Sequence, residues 1–130
     1  MGTQRRSGSY DAHMDIEAFE AEVDAVLATL PPWVVARIDN LIVVVERRPT
    51  AGQDPTRSNL LGLYEGISLA DRGVDYFAAA PDQITIFYDP HKALGLSDTD
   101  LRREIRTTVL HELAHHLGID DARLHELGWG

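Results

Sequence analysis

Residues 97–118 read SDTDLRREIRTTVLHELAHHLG and form the longest helical pattern in the chain. Ser97 with Asp100 resembles a capping box in which Asp takes the place of the usual Glu. Gly118 stands where a helix commonly ends in a left-handed residue. Apolar residues at steps of four share one helical face; they are Leu101, Ile105, Val109, Leu113 and Leu117. The pattern predicts a long helix that is buried along one side.

Upstream of this helix, the sequence predicts two further helices. From Asp15, a plausible N-cap, apolar residues recur at steps of three and four as far as Leu30, with acidic residues between them. The pair Pro31–Pro32 ends this N-terminal helix, and Pro32 is suited to open a short second helix through Ile38.

Three segments predict strands. Leu41–Glu46, interpreted as a buried strand, and Ile84–Tyr88 are rich in β-branched or aromatic residues. Leu60–Ile67 is apolar but interrupted by two glycines, which predict a bulge. Residues 48–59 predict a loop, and residues 68–80 give no clear pattern. A last short helix is expected after Asp120 or Asp121, through Leu127. The order of helix, strands, long helix and short helix predicts an α+β fold.

Composition sets limits on the class of protein. We expect a flexible leader over residues 1–12 and one domain over 13–130, since 130 residues suit a single core. The absence of cysteine excludes a disulfide scaffold and Cys-ligated metal sites. A net charge of −9 disfavours nucleic acid and anionic membrane surfaces as partners. No apolar run approaches membrane-spanning length, and we expect a cytoplasmic monomer.

The segment His111-Glu112-Leu113-Ala114-His115 carries the chemistry. Two histidines four residues apart lie on one helical face, where both imidazoles can reach a single Zn²⁺ ion. Glu112 points to a neighbouring face and is placed to act as a general base on a metal-bound water. Asp121, six residues beyond His115, can return as a third ligand after a turn at Gly118. Competing third ligands are Asp120, His125 and Glu126.

The remaining histidines are interpreted as structural. His116 points about 100° away from His115, so we expect it to pack or to hydrogen-bond within the fold. His13 and His91 have no partners in sequence and are interpreted as surface residues. A purely structural role for the motif histidines also stays open, because paired histidines on an amphipathic helix often lie on a solvated face.

Residues 109–129, VLHELAHHLGIDDARLHELGW, resemble the extended motif of a family of small bacterial zincin-like metallopeptidases, in the variant with Asp as third ligand. Weaker similarity extends to LPPWVVARIDNLIVVVE (30–46), LLGLYEGISLADRG (60–73) and PDQITIFYDP (81–90). The resemblance implies a minimal zincin-like fold, in which a small mixed sheet packs on a long active-site helix and an N-terminal helix. No methionine follows Asp121, so the Met-turn of larger metzincins is absent.

The resemblance implies a zinc-dependent metallopeptidase acting on peptides or proteins. Zn²⁺ would be held by His111, His115 and Asp121, with Glu112 as the catalytic base. His125 is the first candidate for stabilising the transition state, with Tyr64 and Tyr88 as others, and an edge strand at 60–67 or 84–88 would align the peptide. The main alternative is a catalytically weak or inactive zinc-binding interaction or regulatory domain. A metal-dependent ribonuclease is disfavoured by the acidic charge.

Overall fold

The computed structural model describes residues 14–73, 76 and 80–127, except for the side chain of Asp121. The predicted leader, 1–12, lies outside these residues. The helices are α1 (Ile16–Ala28), α2 (Pro32–Arg37), α3 (Tyr88–Lys92), α4 (Asp98–Leu117) and α5 (Asp121–Glu126). The strands are β1 (Leu41–Glu46), β2 (Gly62–Glu65) and β3 (Asp82–Phe87), and a 3-10 turn covers Leu69–Asp71. In the described part of the chain, no helix combines the length and hydrophobicity needed to cross a membrane.

The three strands form the predicted small mixed sheet, in the order β1-β3-β2. β3 runs parallel to β1 and antiparallel to β2. The prediction that β1 is a buried strand is wrong, because β1 lies at an edge of the sheet and its Ile42 is 43% exposed. The buried strand is β3, which has a neighbour on each side and whose residues 84–87 are fully buried.

Helix α4 packs on the sheet and on α1, which confirms the predicted α+β architecture. All five residues of its predicted apolar face are buried, at 3% exposure or less. They meet Phe19, Val23 and Val26 of α1 in the core. The Ser97 hydroxyl accepts a hydrogen bond from the Asp100 N–H at 3.2 Å, so the predicted N-terminal cap is confirmed. Burial of one continuous face therefore fixes the position of the helix.

Helix α3 is an element that the sequence reading missed. The strand predicted over Ile84–Tyr88 ends at Phe87 instead, because Tyr88 opens the helix; Pro90 lies in the first helical turn, where proline is tolerated. The prediction that His91 is a surface residue is wrong, because its side chain is fully buried. Its Nδ1 lies 2.7 Å from the Phe87 carbonyl oxygen and its Nε2 lies 3.0 Å from Thr108 Oγ1. His13 lies outside the described residues.

Candidate metal centre

His111 and His115 lie one turn apart on the same side of α4. Their ring centroids are 4.9 Å apart, and the rings are tilted by 59° to each other. The side chain of His115 is 49% exposed, and His111 is partly exposed. Two imidazoles that are adjacent and accessible to solvent can serve as ligands of one ion without rearrangement of the helix.

Glu112 turns from these histidines toward the interior. It is 8% exposed, and its Oε1 lies 3.4 Å from His115 Nδ1. The backbone N–H of Tyr64 in β2 faces this carboxylate and favours its ionised form. Burial raises the pKa of Glu112, while the two histidines and the Tyr64 N–H oppose this rise. A carboxylate with a raised pKa is better matched to proton transfer near neutral pH.

Asp121 is the first residue of α5, and its side chain lies outside what the structure describes. The competing ligands Asp120 and Glu126 have other partners. Asp120 Oδ1 accepts from the Arg123 N–H at 2.8 Å, as an N-cap, and Glu126 Oε1 lies 3.1 Å from the Arg123 guanidinium. Among the side chains that are described, no three possible ligands converge. The third ligand therefore stays a prediction.

The exit of α4 toward α5 is set by Gly118. Its φ of 74° lies in the left-handed region, and its N–H bonds back to the carbonyls of the last turn. A Cβ at this position would lie 2.5 Å from the Cβ of Ala70, in the 3-10 turn. Glycine is thus required both by its conformation and by the close approach of the turn. This turn directs the chain into α5 immediately after the histidines.

A buried polar cluster centred on Asp82 lies behind the motif. The Asp82 carboxylate accepts from the Tyr64 hydroxyl at 2.5 Å, from the Arg72 guanidinium at 2.7 Å and from the Ile67 N–H at 3.4 Å. His116 Nδ1 lies 3.1 Å from the same carboxylate. Burial raises the pKa of Asp82, but the hydrogen bonds outweigh it and hold this pKa below its usual value. Asp82 is therefore an ionised carboxylate that ties β2 and the 67–72 segment to α4.

His116 is a member of this cluster. Its Nε2 accepts from the Asp39 N–H at 3.2 Å, so the proton resides on Nδ1 and is donated to Asp82. Burial lowers the pKa of His116, against the influence of Asp82. The prediction that His116 hydrogen-bonds within the fold is confirmed.

The candidates for stabilising a transition state have different environments. The Tyr64 hydroxyl is held by Asp82, and the Tyr88 hydroxyl donates to the Met14 carbonyl at 2.8 Å. Both hydroxyls thus already have acceptors. His125 lies exposed on α5, and its role stays a prediction.

A cavity of 360 Å³ opens beside Glu112. One wall is α4, and the other is formed by residues 58–62, which lead into β2. Because β2 is an edge strand, backbone groups on its outer side are open to a partner strand. The suggestion that residues 84–88 serve as an edge is wrong, since β3 is the central strand.

A comparison with protein families matches residues 38–129 to a family described as zincin-like metallopeptidase. The match includes the sheet, α4 and α5, and therefore all of the candidate ligands. No curated protein matches the chain.

Proposed function

The chain belongs to the zincin-like metallopeptidase family, and on this premise we propose that it is a zinc-dependent enzyme that hydrolyses peptide bonds. The observation that carries the proposal is the buried Glu112 beside two accessible imidazoles 4.9 Å apart, at the mouth of a cavity. A purely structural role for the histidines would not require a buried carboxylate next to them, since burying a carboxylate is costly.

The proposed zinc ligands are His111, His115 and Asp121. Imidazole and carboxylate groups suit Zn²⁺, and three protein ligands leave a position open for water. The two imidazoles fit this role by their spacing and exposure. When bound, the ion would supply Lewis-acid activation of a water molecule and of the scissile carbonyl.

Glu112 is the proposed general base. It takes a proton from the attacking water and later donates it to the leaving amine. Its raised pKa supports both steps, because the carboxylate must bind and release the proton within one turnover. The Tyr64 N–H, which faces the same carboxylate, favours one direction of the base.

The proposed substrate is an extended peptide that pairs with the outer edge of β2. The Phe87 N–H bonds the Leu61 carbonyl at 2.9 Å. Alternation along an antiparallel pair then directs the backbone groups of Gly62 and the carbonyl of Tyr64 away from β3, toward the cavity side, while the Tyr64 N–H on the same edge faces Glu112. A peptide strand laid there would pass Glu112. The charge of −9 supports a peptide rather than a nucleic acid, and the cysteine-free composition supports a cytoplasmic setting.

The test compares matched variants loaded with zinc. We expect the wild type to bind about one zinc ion per chain and the variants His111→Ala and Asp121→Ala to lose it. Asp120→Ala is the matched control and is expected to keep the zinc, because Asp120 serves as a helix cap. Glu112→Gln is expected to bind zinc and to lose cleavage of an unfolded protein, whereas Glu20→Gln, exposed on α1, is expected to keep both.

Two results would contradict the proposal. Full activity of Glu112→Gln would show that Glu112 is not the general base. Wild-type protein that binds zinc but cleaves no peptide would favour a zinc-binding interaction or regulatory domain. Zinc retained by Asp121→Ala would show that the third ligand is another residue.

A further inference from the structure

Gly62 lies where β2 crosses α4 most closely. A Cβ built on Gly62 would lie 2.7 Å from Thr108 Cγ2, 3.2 Å from Glu112 Cγ and 3.4 Å from the Thr85 carbonyl oxygen. The first distance is shorter than carbon atoms in contact can adopt. Any other residue at this position would therefore force β2 and α4 apart, or force Thr108 to move.

Thr108 has little freedom to move. It is 6% exposed, and its hydroxyl donates to the Glu104 carbonyl at 3.0 Å and lies 3.0 Å from His91 Nε2. A β-branched side chain on a helix has few χ1 rotamers, so turning the methyl group away would also displace the hydroxyl from both partners. The strand, rather than the threonine, would have to yield.

The close approach has a consequence two residues further along β2. The backbone N–H of Tyr64 points to the same outer edge of β2 as that of Gly62, and it faces the Glu112 carboxylate. The Glu112 side chain also lies against Gly62, since a Cβ there would come within 3.2 Å of Glu112 Cγ. The Tyr64 hydroxyl is anchored on Asp82 at 2.5 Å, which fixes the other end of this residue. Displacement of the strand at Gly62 would therefore draw the N–H away from the carboxylate.

We propose that Gly62 is a positioning residue for Glu112. By having no side chain, it lets β2 close on α4, so that the Tyr64 N–H holds the carboxylate in one orientation. Gly62 touches neither substrate nor metal in this role and acts through Tyr64. The catalytic consequence rests on the proposed function, but the contact between Tyr64 and Glu112 does not.

The experiment uses Gly62→Ala, alone and combined with Thr108→Ser, in the full chain. Serine lacks Cγ2, the atom of closest approach, but keeps the hydroxyl that bonds Glu104. The matched control is Gly52→Ala, because a Cβ on Gly52 meets only Thr50 Oγ1, at 3.9 Å.

The first readout is the Tyr64 amide in ¹H–¹⁵N NMR spectra, without zinc. In the wild type and in Gly52→Ala, we expect a slowly exchanging amide whose shift moves when Glu112→Gln is added. In Gly62→Ala, we expect faster exchange and no response to Glu112→Gln. Adding Thr108→Ser should restore both properties.

The second readout is turnover of an unfolded protein by the zinc-loaded forms. A misdirected base lowers kcat, and displacements of about 1 Å can cost up to roughly 100-fold. We expect Gly62→Ala to lose at least about tenfold in kcat with a smaller change in KM and unchanged zinc content, and Thr108→Ser to recover most of the loss.

Unchanged Tyr64 exchange in Gly62→Ala would overturn the proposal, and so would a loss that Thr108→Ser does not recover. If Gly62→Ala does not fold, the test uses the variant that combines it with Thr108→Ser. A Tyr64 amide shift that again responds to Glu112→Gln in this variant supports the steric role of Gly62. If neither variant folds, a wild-type Tyr64 amide that does not respond to Glu112→Gln overturns it. A wild type that cleaves nothing contradicts the proposed function alone, since the NMR readout does not depend on activity.

Discussion

Asp82→Ala removes the carboxylate at the centre of the buried polar cluster. The side chains of Asp82 and Arg72 are 5% and 8% exposed, and they form an ion pair of 2.7 Å. The substitution leaves the Arg72 guanidinium with Asp39 as its remaining anionic partner, at 2.9 Å, and the side chain of Asp39 is 69% exposed. The Tyr64 hydroxyl and His116 Nδ1 also lose their acceptor.

The expected loss of stability follows from these contacts. Removing one partner of a buried ion pair costs about 3–5 kcal/mol, because a buried charge is left uncompensated. Asp39 still neutralises part of the Arg72 charge, so we expect the lower end, about 3 kcal/mol. For a chain of this size, each kcal/mol lowers Tm by roughly 3–6 °C, so a loss of about 3 kcal/mol gives a decrease of about 9–18 °C.

The assay is urea and thermal unfolding followed by circular dichroism, for zinc-free protein at pH 7. The matched control is Glu126→Ala, which breaks an ion pair with Arg123 whose side chains are 61% and 64% exposed. Exposed pairs contribute little, so the control should lose less than about 0.5 kcal/mol. A loss below about 1 kcal/mol for Asp82→Ala would refute the assignment of this cluster as a stabilising anchor.

Two further predictions concern other sites. Burial lowers the pKa of His91 from its ordinary 6.5. The free energy of unfolding should therefore be highest above pH 6.5 and fall as the pH drops below this value, because protonation of His91 favours the unfolded chain. Urea unfolding from pH 8 to 5.5 should show a smaller fall for His91→Asn than for the wild type. Gly118→Ala should lower the free energy of unfolding by more than the roughly 1–2 kcal/mol that a left-handed alanine costs, because the added Cβ meets Ala70. Gly95→Ala is the control for the conformational cost alone, since Gly95 has a φ of 67° and no atom near an added Cβ. Equal losses of stability in the two variants would contradict a contribution from the contact with Ala70.

The long helix could be predicted from the sequence because its signals are local. The apolar residues at steps of four, the Ser97 cap and the left-handed Gly118 all lie within one segment, and each is confirmed. The number of strands also followed, since apolar runs bounded by turn residues mark strands independently of their partners. The mixed sheet was implied by the family resemblance and not by these runs. The positions of the motif histidines on one face follow from the same helical period.

The features that could not be predicted from the sequence depend on contacts between segments that are distant along the chain. The burial of β3 rather than β1 is decided by strand order, because β1 is the more apolar strand in sequence and yet lies at an edge of the sheet. The role of Asp82 could not be predicted, because His116 lies 34 residues and Arg72 lies 10 residues away from it in opposite directions. His91 was assigned to the surface since the partners that bury it, Phe19 and Thr108, give no signal near it in sequence.

The short strand β2 connects the stability of the fold with the geometry of the candidate site. Its Tyr64 faces both centres, since the hydroxyl is held by Asp82 and the N–H faces the Glu112 carboxylate. A buried ionic cluster is expensive to desolvate, and an apolar replacement of similar volume could be equally stable. Such a replacement would leave the Tyr64 hydroxyl without an acceptor and would no longer fix β2 along α4. The presence of Asp82, Arg72 and His116 behind the motif is therefore explained better by the single orientation that they impose on β2 than by stability beyond what an apolar cluster would give.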